Sequence, residues 1–279
     1  MFLFGFAMFL VVVFFLRVDS DVFPFLVFGD FNWGPADGCL KVFSALGGVE
    51  SVRGGTASTL TTNGPGGIVN FMGKTGSTEG GSAALTYGLD YDDMRVDLEY
   101  GGELGNDLYF HIGGHYQQGG DSRDNGFDPI QGGQVRASLT KAFDNGFLRI
   151  TGKSINKKDG INFPQAASIS NGVINDDGVA GFNLATDSLN SPYTRYGRDV
   201  DGEGNINDRD SADGFHTKVN AIGFEMNFDL PNDINISNKA RYQDISGDFN
   251  GIFTHNVSTF ENRFGTESGA TVFNGPNAG

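Results

Sequence analysis

Residues 94–100, Met-Arg-Val-Asp-Leu-Glu-Tyr, alternate strictly between apolar and charged side chains. A period of two places successive side chains on opposite faces of a β-strand. The same alternation recurs in 108–117, 135–141 and 147–153. The sequence therefore predicts a β-sheet with one apolar face and one polar, charged face.

The pattern predicts seven strands. They lie near 82–91, 94–102, 107–118, 134–143, 146–156, 215–229 and 234–247. The links 103–106, 144–145 and 230–233 are short and rich in turn-forming residues, whereas 119–133 and 157–214 are long and polar. Only 92–93 departs from this alternation, because it is short where a long loop is expected.

The predicted strand 215–229 contains a change of parity. Phe215, Val219 and Ala221 are apolar at odd positions, and Ile222, Phe224, Met226 and Phe228 are apolar at even positions. A one-residue bulge near 221–223 would keep both sets on one face. A short linker between two shorter strands is the alternative.

Strand length and tyrosine placement favour a membrane barrel. Several segments reach about ten residues, which is the span of a tilted transmembrane β-strand. The tyrosines near predicted strand ends, where an interfacial girdle would lie, are Tyr87, Tyr91, Tyr100, Tyr109 and Tyr116. Outer-membrane barrels also pair short periplasmic turns with long external loops. Seven strands are too few for a large barrel, so we expect a fragment of one.

Composition supports an all-β protein that does not bind nucleic acid. The chain has 279 residues, 43 of them Gly, and a formal net charge of -15. Glycine-rich turns between short strands are typical of β-sandwiches and barrels. Nucleic-acid binding requires clustered Lys and Arg, which this balance disfavours. The one cysteine, Cys39, excludes an intrachain disulfide.

Residues 1–47 differ in composition from the rest. They hold 11 of the 26 phenylalanines but no Tyr or Thr, and Met1 to Leu16 is an uncharged apolar run. The run is a little short for a spanning helix and lacks the basic start and small-residue cleavage site of a signal peptide. An unusual export signal and a mispredicted 5′ end of the gene are the two interpretations.

A glycine-rich segment precedes the strands. It contains Arg53-Gly54, Ala57-Ser58, Pro65-Gly66-Gly67-Ile68-Val69-Asn70 and Lys74-Thr75-Gly76. It resembles the end of the plug domain of TonB-dependent outer-membrane receptors, which have Arg-Gly-(Pro)-Ala-Ser, Pro-Gly-Gly-hydrophobic-hydrophobic-Asn and Lys-Thr-Gly. Gly55 departs from the family, which usually has Pro there. Segments 113–116, 123–127, 132–141 and 143–153 are similar to the family's early barrel.

The resemblance implies a domain order. Residues 1–47 are an unassigned apolar N-terminus, 48–77 are the C-terminal part of a plug domain, and 78–279 are the N-terminal portion of an outer-membrane β-barrel. The plug motif consists of Arg53, Gly54, Pro65, Gly66, Gly67 and Asn70. The expected fold is thus a partial antiparallel transmembrane β-barrel preceded by the end of a plug.

The resemblance also implies a function. It predicts active uptake of a scarce nutrient complex, such as an iron-siderophore, cobalamin or an oligosaccharide, across a Gram-negative outer membrane. The implied partners are a TonB-type energy-coupling protein, a nutrient ligand at the extracellular loops, and membrane lipid. A passive porin or adhesin barrel without a plug is one alternative. A soluble secreted calcium-binding β-protein is the other.

Residues 199–210 fit the spacing of a twelve-residue calcium loop. The candidate ligands are Asp199, Asp201, Glu203, Asn205, Asn207 and Asp210, with Gly204 at the sixth position. Calcium takes six to eight oxygen ligands, which this spacing could supply. Asp210 stands where Glu is usual, and no helices clearly flank the loop. A solvated acidic loop is the alternative.

No motif indicates catalysis. The chain lacks Gly-x-Ser-x-Gly, His-Glu-x-x-His and P-loop patterns. His111 and His115 lie four residues apart on one strand, about 13 Å, so they cannot share a metal. We expect a protein that is not an enzyme and requires no cofactor, with Ca²⁺ in an extracellular loop as a candidate.

Overall fold

The structure is a computed structural model that describes residues 42–52, 68–162, 168–175 and 181–251. These residues are all-β, apart from one 3-10 turn at Ser211–Asp213. The strands are β1 (Leu46–Val52), β2 (Ile68–Gly73), β3 (Gly80–Tyr87), β4 (Asp93–Gly105), β5 (Leu108–Gly119), β6 (Ile130–Phe143), β7 (Gly146–Asp159), β8 (Ser168–Ser170), β9 (Val173–Asn175), β10 (Tyr196–Val200), β11 (Ile206–Asp210), β12 (Phe215–Leu230) and β13 (Ile234–Phe249).

Seven strands form one antiparallel sheet in the order β3-β4-β5-β6-β7-β12-β13. This confirms the predicted strand number, the antiparallel arrangement and the all-β class. The described strands form an open sheet with β3 and β13 at its edges. Three two-stranded hairpins, β1-β2, β8-β9 and β10-β11, lie outside it.

Short turns close one end of the sheet. Asn106 and Asp107 have φ of 54° and 57°, and Asn232 and Asp233 have 64° and 58°. Asn and Asp tolerate this left-handed region, which two-residue hairpin turns require to match the twist of the strands. We call this end the turn end. The opposite end, which carries residues 120–129, 160–162, 168–175 and 181–214, is the loop end. The connection from β3 to β4 is short, as predicted, but it spans 88–92 because β3 ends at Tyr87 and not near residue 91.

The two faces of the sheet have opposite chemistry. The outer face carries the apolar members of the alternating pairs, and Leu98 and Ile150 there are 56% and 51% exposed. The inner face carries the polar members, and His111 and His115 there are only 4% and 6% exposed. Soluble proteins bury their apolar residues, so this arrangement is inverted.

Strand β12 is continuous, so the predicted bulge near 221–223 and the alternative linker are both wrong. Its pairing with β7 runs without a register shift from Phe215 to Phe228, and with β13 from Phe215 to Leu230. Phe215, Val219 and Ala221 therefore lie on the inner face, opposite to Ile222 and Phe224. The apolar residues change face along a regular strand.

The turns are staggered across the sheet. The last residue pairs before them are Leu230–Ile234, Phe143–Gly146 and Gly105–Leu108. Through the ladder these pairs lie level with Leu230, Phe228 and Met226 of β12. From one turn to the next, which is two strands further across the sheet, the position of the turn therefore shifts by two residues along the strand direction. If the turns share one plane, this step corresponds to a strand tilt of about 35°.

The apolar stretch of the outer face is staggered in the same direction. Its last residues toward the loop end are Tyr242 on β13, Val135 on β6, Tyr116 on β5 and Met94 on β4. These lie level with Ile222, Asn220, Lys218 and His216 of β12. Lys141 and Asn238 interrupt the stretch, and the Lys141 ammonium reaches the Asn106 carbonyl at the turn end.

The tyrosines divide between the two faces. Tyr87, Tyr100 and Tyr116 lie on the outer face and are exposed, and Tyr91 is exposed in the turn before β4. Tyr109 pairs with Thr140 and lies on the inner face, so its assignment to a girdle is wrong. Among the described residues, no helix is long and apolar enough to cross a membrane.

Candidate functional site

A segment of the chain packs on the inner face of β4, β5 and β6. This docked segment comprises residues 42–52 and 68–76, which include the β1-β2 hairpin. Phe43 and Ala45 are buried, and the Phe43 ring lies edge-on to His115 at 5.5 Å between centroids. The docked segment therefore covers polar side chains that would otherwise line an open surface.

Glu99 on β4 is the centre of the contact. One carboxylate oxygen accepts hydrogen bonds from Lys74 Nζ at 2.7 Å and Ser82 Oγ at 2.9 Å. The other oxygen lies 2.6 Å from His111 Nε2. The Glu99 side chain is 6% exposed. A buried carboxylate is stable only when it is paired and hydrogen-bonded, and this cluster meets that requirement.

Glycines let the docked segment approach the backbone of the sheet. A Cβ added at Gly113 on β5 would lie 2.7 Å from the Ala45 Cβ. Gly76 has φ of 80°, and a Cβ there would lie 1.9 Å from the Phe110 carbonyl oxygen. Larger residues at either position would displace the segment. The docked segment therefore contacts the backbone of the sheet directly at these two glycines.

Further hydrogen bonds hold the two ends of the docked segment. Arg95 pairs with Asp97 at 2.6 Å and also donates to the Val42 carbonyl at 3.1 Å. Ser138 on β6 donates to the Lys74 carbonyl at 3.2 Å. The segment is thus fixed to three neighbouring strands by several independent contacts.

The inner face has two halves of opposite charge. On β4 and β5 its acids outnumber its one cation, Arg95. On β6, β7, β12 and β13 the cations predominate: Arg136, Arg149, Lys153, Lys157, Lys239 and Arg241, against Asp159, Glu225 and Asp229. Glu225 binds Arg149 at 2.8 Å and Lys239 at 2.9 Å. The docked segment covers mainly the acidic half.

Most of the predicted plug motif lies outside the described residues. This applies to Arg53, Gly54, Pro65, Gly66 and Gly67. Asn70 lies on β2, where it pairs with Glu50 of β1. Lys74 and Gly76, from the end of the same sequence motif, make the contacts to Glu99 and Phe110. Sequence reasoning missed Glu99 as the partner of Lys74, and it missed the contacts of Glu99 with His111 and of Gly113 with Ala45. Paired glycines inside a strand are nevertheless a signal of close approach.

The connections at the loop end are linked to one another. Arg123 donates to the carbonyls of Leu184 and Asp187 at 2.8 and 2.9 Å. Asn190 donates to the Asn125 side chain and to the Ile161 carbonyl. Asn125 and Ile161 are buried. Residues 120–129 and 181–195 are therefore joined by hydrogen bonds into a single unit at the loop end of the sheet.

The predicted calcium ligands lie on the β10-β11 hairpin. Asp199 binds Arg209 at 2.6 Å, and Asp210 accepts two hydrogen bonds of 2.8 Å from Arg195. Asp201 accepts hydrogen bonds from the side chain and backbone of Asn205 and from the backbone of Glu203. Asn207 pairs with Asp199 across the hairpin.

Hydrogen bonding shifts the ionisation of these carboxylates. The Arg195 guanidinium holds the pKa of Asp210 below its ordinary value, and Asp210 raises the pKa of Arg195. The Asn205 side chain and backbone lower the pKa of Asp201. Within the described ranges no group of three or more His, Cys, Asp or Glu could hold a metal ion. Calcium binding stays a prediction.

Arg195 also joins the hairpin to the neighbouring connection. Its guanidinium lies 5.3 Å from the Phe127 ring centroid and 4.9 Å from that of Tyr196. These cation-π contacts, with the Asp210 pair, fix the base of the hairpin.

No family model, curated protein or solved structure matches this chain.

Proposed function

We propose that the chain is part of a TonB-dependent receptor of the Gram-negative outer membrane. The observation that carries this proposal is the apolar outer face of the seven-stranded sheet. Its apolar stretches are about ten residues long, as a tilted strand needs to cross a bilayer. Their stagger agrees with that of the turns and with the tilt of about 35–45° found in membrane barrels.

The inner face supports a filled interior. It is charged and buried where the docked segment lies on it, which suits a lumen occupied by protein. A passive porin or adhesin has no such occupant, so the contacts of Lys74, Gly76 and Ala45 favour a receptor. In this proposal the docked segment is the end of a plug, and a TonB-type energy-coupling protein moves the plug to admit a nutrient.

Orientation follows from the connections. Short turns face the periplasm and long connections face outward in bacterial barrels. The hydrogen-bonded unit formed by 120–129 and 181–195 would then contact the nutrient complex first. A soluble secreted calcium-binding protein is disfavoured because its exposed outer face would leave many large apolar side chains in water.

Conductance in planar bilayers tests the proposal. The full-length protein, meaning the receptor of which this chain is proposed to be a part, should insert into the bilayer. It should conduct little, because the docked segment fills the interior. Lys74→Glu places a second carboxylate beside Glu99 and should raise the conductance. Glu79→Gln, at an exposed position, is the matched control. Steady conductance of the parent would favour a porin, and failure to enter lipid would contradict membrane placement.

A further inference from the structure

Asparagine followed by glycine is a reactive dipeptide. The glycine nitrogen can attack the preceding side-chain amide, because glycine has no Cβ to hinder the approach. The pair occurs six times in the chain, and the described residues hold four of them: Asn125-Gly126, Asn145-Gly146, Asn171-Gly172 and Asn250-Gly251. The last lies at the end of the described residues, and the other three differ in their surroundings.

The pair Asn125-Gly126 is held by the connection at the loop end. Asn125 is 3% exposed, and its side-chain amide donates a hydrogen bond to Asp121 at 3.3 Å. The Gly126 N–H donates to the Asp124 side chain at 2.8 Å. A Cβ added at Gly126 would lie 2.5 Å from the Pro192 ring. The nitrogen and the side chain are therefore both restrained, and little space remains for them to rotate toward each other.

The pair Asn145-Gly146 is held by the sheet. The Asn145 side-chain amide donates a hydrogen bond to the Asp229 carbonyl at 3.0 Å. Gly146 is the first residue of β7 and pairs with Phe228 of β12. A Cβ added at Gly146 would lie 2.1 Å from the Asn227 carbonyl oxygen. This pair is therefore also restrained by its neighbours.

The pair Asn171-Gly172 forms the tip of the β8-β9 hairpin and lacks such restraints. Both residues are exposed, and within the described ranges no hydrogen bond holds the Asn171 side chain. Ser170 pairs with Val173, so the Gly172 nitrogen lies in the turn and outside the ladder. A Cβ added at Gly172 would meet no described atom within 4 Å. A hairpin with only three residue pairs is marginally stable, so its turn opens easily.

We propose that Asn171 deamidates spontaneously in the folded protein, with water as the co-reactant. The Gly172 nitrogen forms a bond to the side-chain carbonyl carbon of Asn171. The bond from that carbon to the side-chain nitrogen breaks, and ammonia leaves with the proton that the Gly172 nitrogen gives up. Water then opens the five-membered imide at either carbonyl and yields aspartate or isoaspartate. The inference does not depend on the proposed receptor function.

The modification changes both the charge and the backbone of the hairpin. A carboxylate replaces a neutral amide, and isoaspartate lengthens the main chain by one methylene group. A two-residue turn fixes the register of the strands that it joins. The longer turn therefore disrupts the pairs Ser170–Val173 and Ile169–Ile174. Deamidation would open this hairpin at the loop end as the protein ages.

Peptide mapping by mass spectrometry tests the proposal. The folded full-length protein is incubated in mildly alkaline buffer made with water enriched in heavy oxygen, so that only events during the incubation are labelled. Trypsin then places the three asparagines on separate peptides, 124–136, 142–149 and 159–195. We expect Asn171 to deamidate at least about tenfold faster than Asn125 and Asn145, because those two must first open locally.

Denaturation supplies a matched control for the effect of the fold. In guanidinium chloride all three pairs lose their surroundings, so their rates should converge. Equal rates in the folded protein, or no modification at Asn171, would overturn the proposal. The same order of rates after denaturation would also overturn it, because the flanking sequence and not the fold would then set the difference.

A substitution tests the route of the reaction. Gly172→Ala adds a Cβ beside the attacking nitrogen and should slow deamidation of Asn171 about tenfold, while Asn125 and Asn145 serve as internal standards. Gly152→Ala on β7 is the matched control, since an added Cβ there meets nothing within 4 Å, and it should leave all three rates unchanged. An unchanged rate at Asn171 in the Gly172 variant would exclude attack by this nitrogen and overturn the mechanism.

Discussion

The outer and inner faces of the sheet belong to the same seven strands but differ in chemistry and burial. On the outer face Leu98 and Ile150 are exposed in the isolated chain. On the inner face Glu99 and His111 are buried beneath the docked segment. A soluble sheet would reverse these assignments. In the proposed membrane receptor the medium beyond each face differs: hydrocarbon outside, and protein with polar contacts inside.

Removing the central carboxylate of the inner face should have the largest effect. Glu99→Gln leaves the buried His111 and the 40% exposed Lys74 without their anion. Because water screens Lys74, we expect a cost at the lower end of the about 3–5 kcal/mol that breaking a buried pair entails. We expect faster hydrogen exchange across β1 and β2 than in the parent. Glu79→Gln, on an exposed neighbour, should change neither exchange nor stability. Equal exchange in both variants would show that the ion cluster does not hold the docked segment.

A charge on the outer face should come next. Ile150→Arg places a cation in the apolar stretch, with an expected loss of about 2–4 kcal/mol in lipid vesicles. Thr151→Arg, one residue away on the inner face, should cost less than Ile150→Arg, because an inner-face side chain does not enter the apolar stretch. Urea unfolding in vesicles measures both. Similar losses would remove the distinction between the faces.

Steric blocking at the docked segment should have an intermediate effect. Gly113→Val forces a side chain against Ala45 and should cost about 1–3 kcal/mol through overpacking. Gly152→Val is the control, since an added Cβ there meets nothing within 4 Å. Limited proteolysis should cut the docked segment faster in the Gly113 variant alone. Unchanged cleavage would mean that the segment does not rest on β5.

The smallest effect concerns pH at the β10-β11 hairpin. Arg195 lowers the pKa of Asp210 in the folded protein. The pair therefore stabilises the hairpin fully above the ordinary Asp pKa of about 3.9, and this contribution is lost as the pH falls through the lowered value. Hairpin protection should fall at acidic pH in the parent, and Asp210→Asn should reduce that dependence to the part that Asp201 contributes. Persistence of the same pH dependence in the variant would exclude this pair as its source.

The sequence predicted the sheet well because alternation is a local signal. All seven strands, the short turns and the two face chemistries could be read from it. The regular path of β12 could not, because a change of apolar parity looks identical whether a bulge restores the face or the chemistry changes sides. The partners of Lys74 were missed because they depend on packing between segments distant in the chain. The hairpins β8-β9 and β10-β11 lie within 157–214, which the sequence predicted as one long polar loop.

Alternating fluorescence along β7 tests the central claim most directly. Single tryptophans replace Leu148, Ile150, Thr151 and Lys153 in a Trp33→Phe background, and the full-length protein is reconstituted with brominated lipid. Strong quenching at 148 and 150 with weak quenching at 151 and 153 is the predicted result. Equal quenching at all four positions, or water-exposed emission at 148 and 150, would contradict a sheet whose outer face meets hydrocarbon.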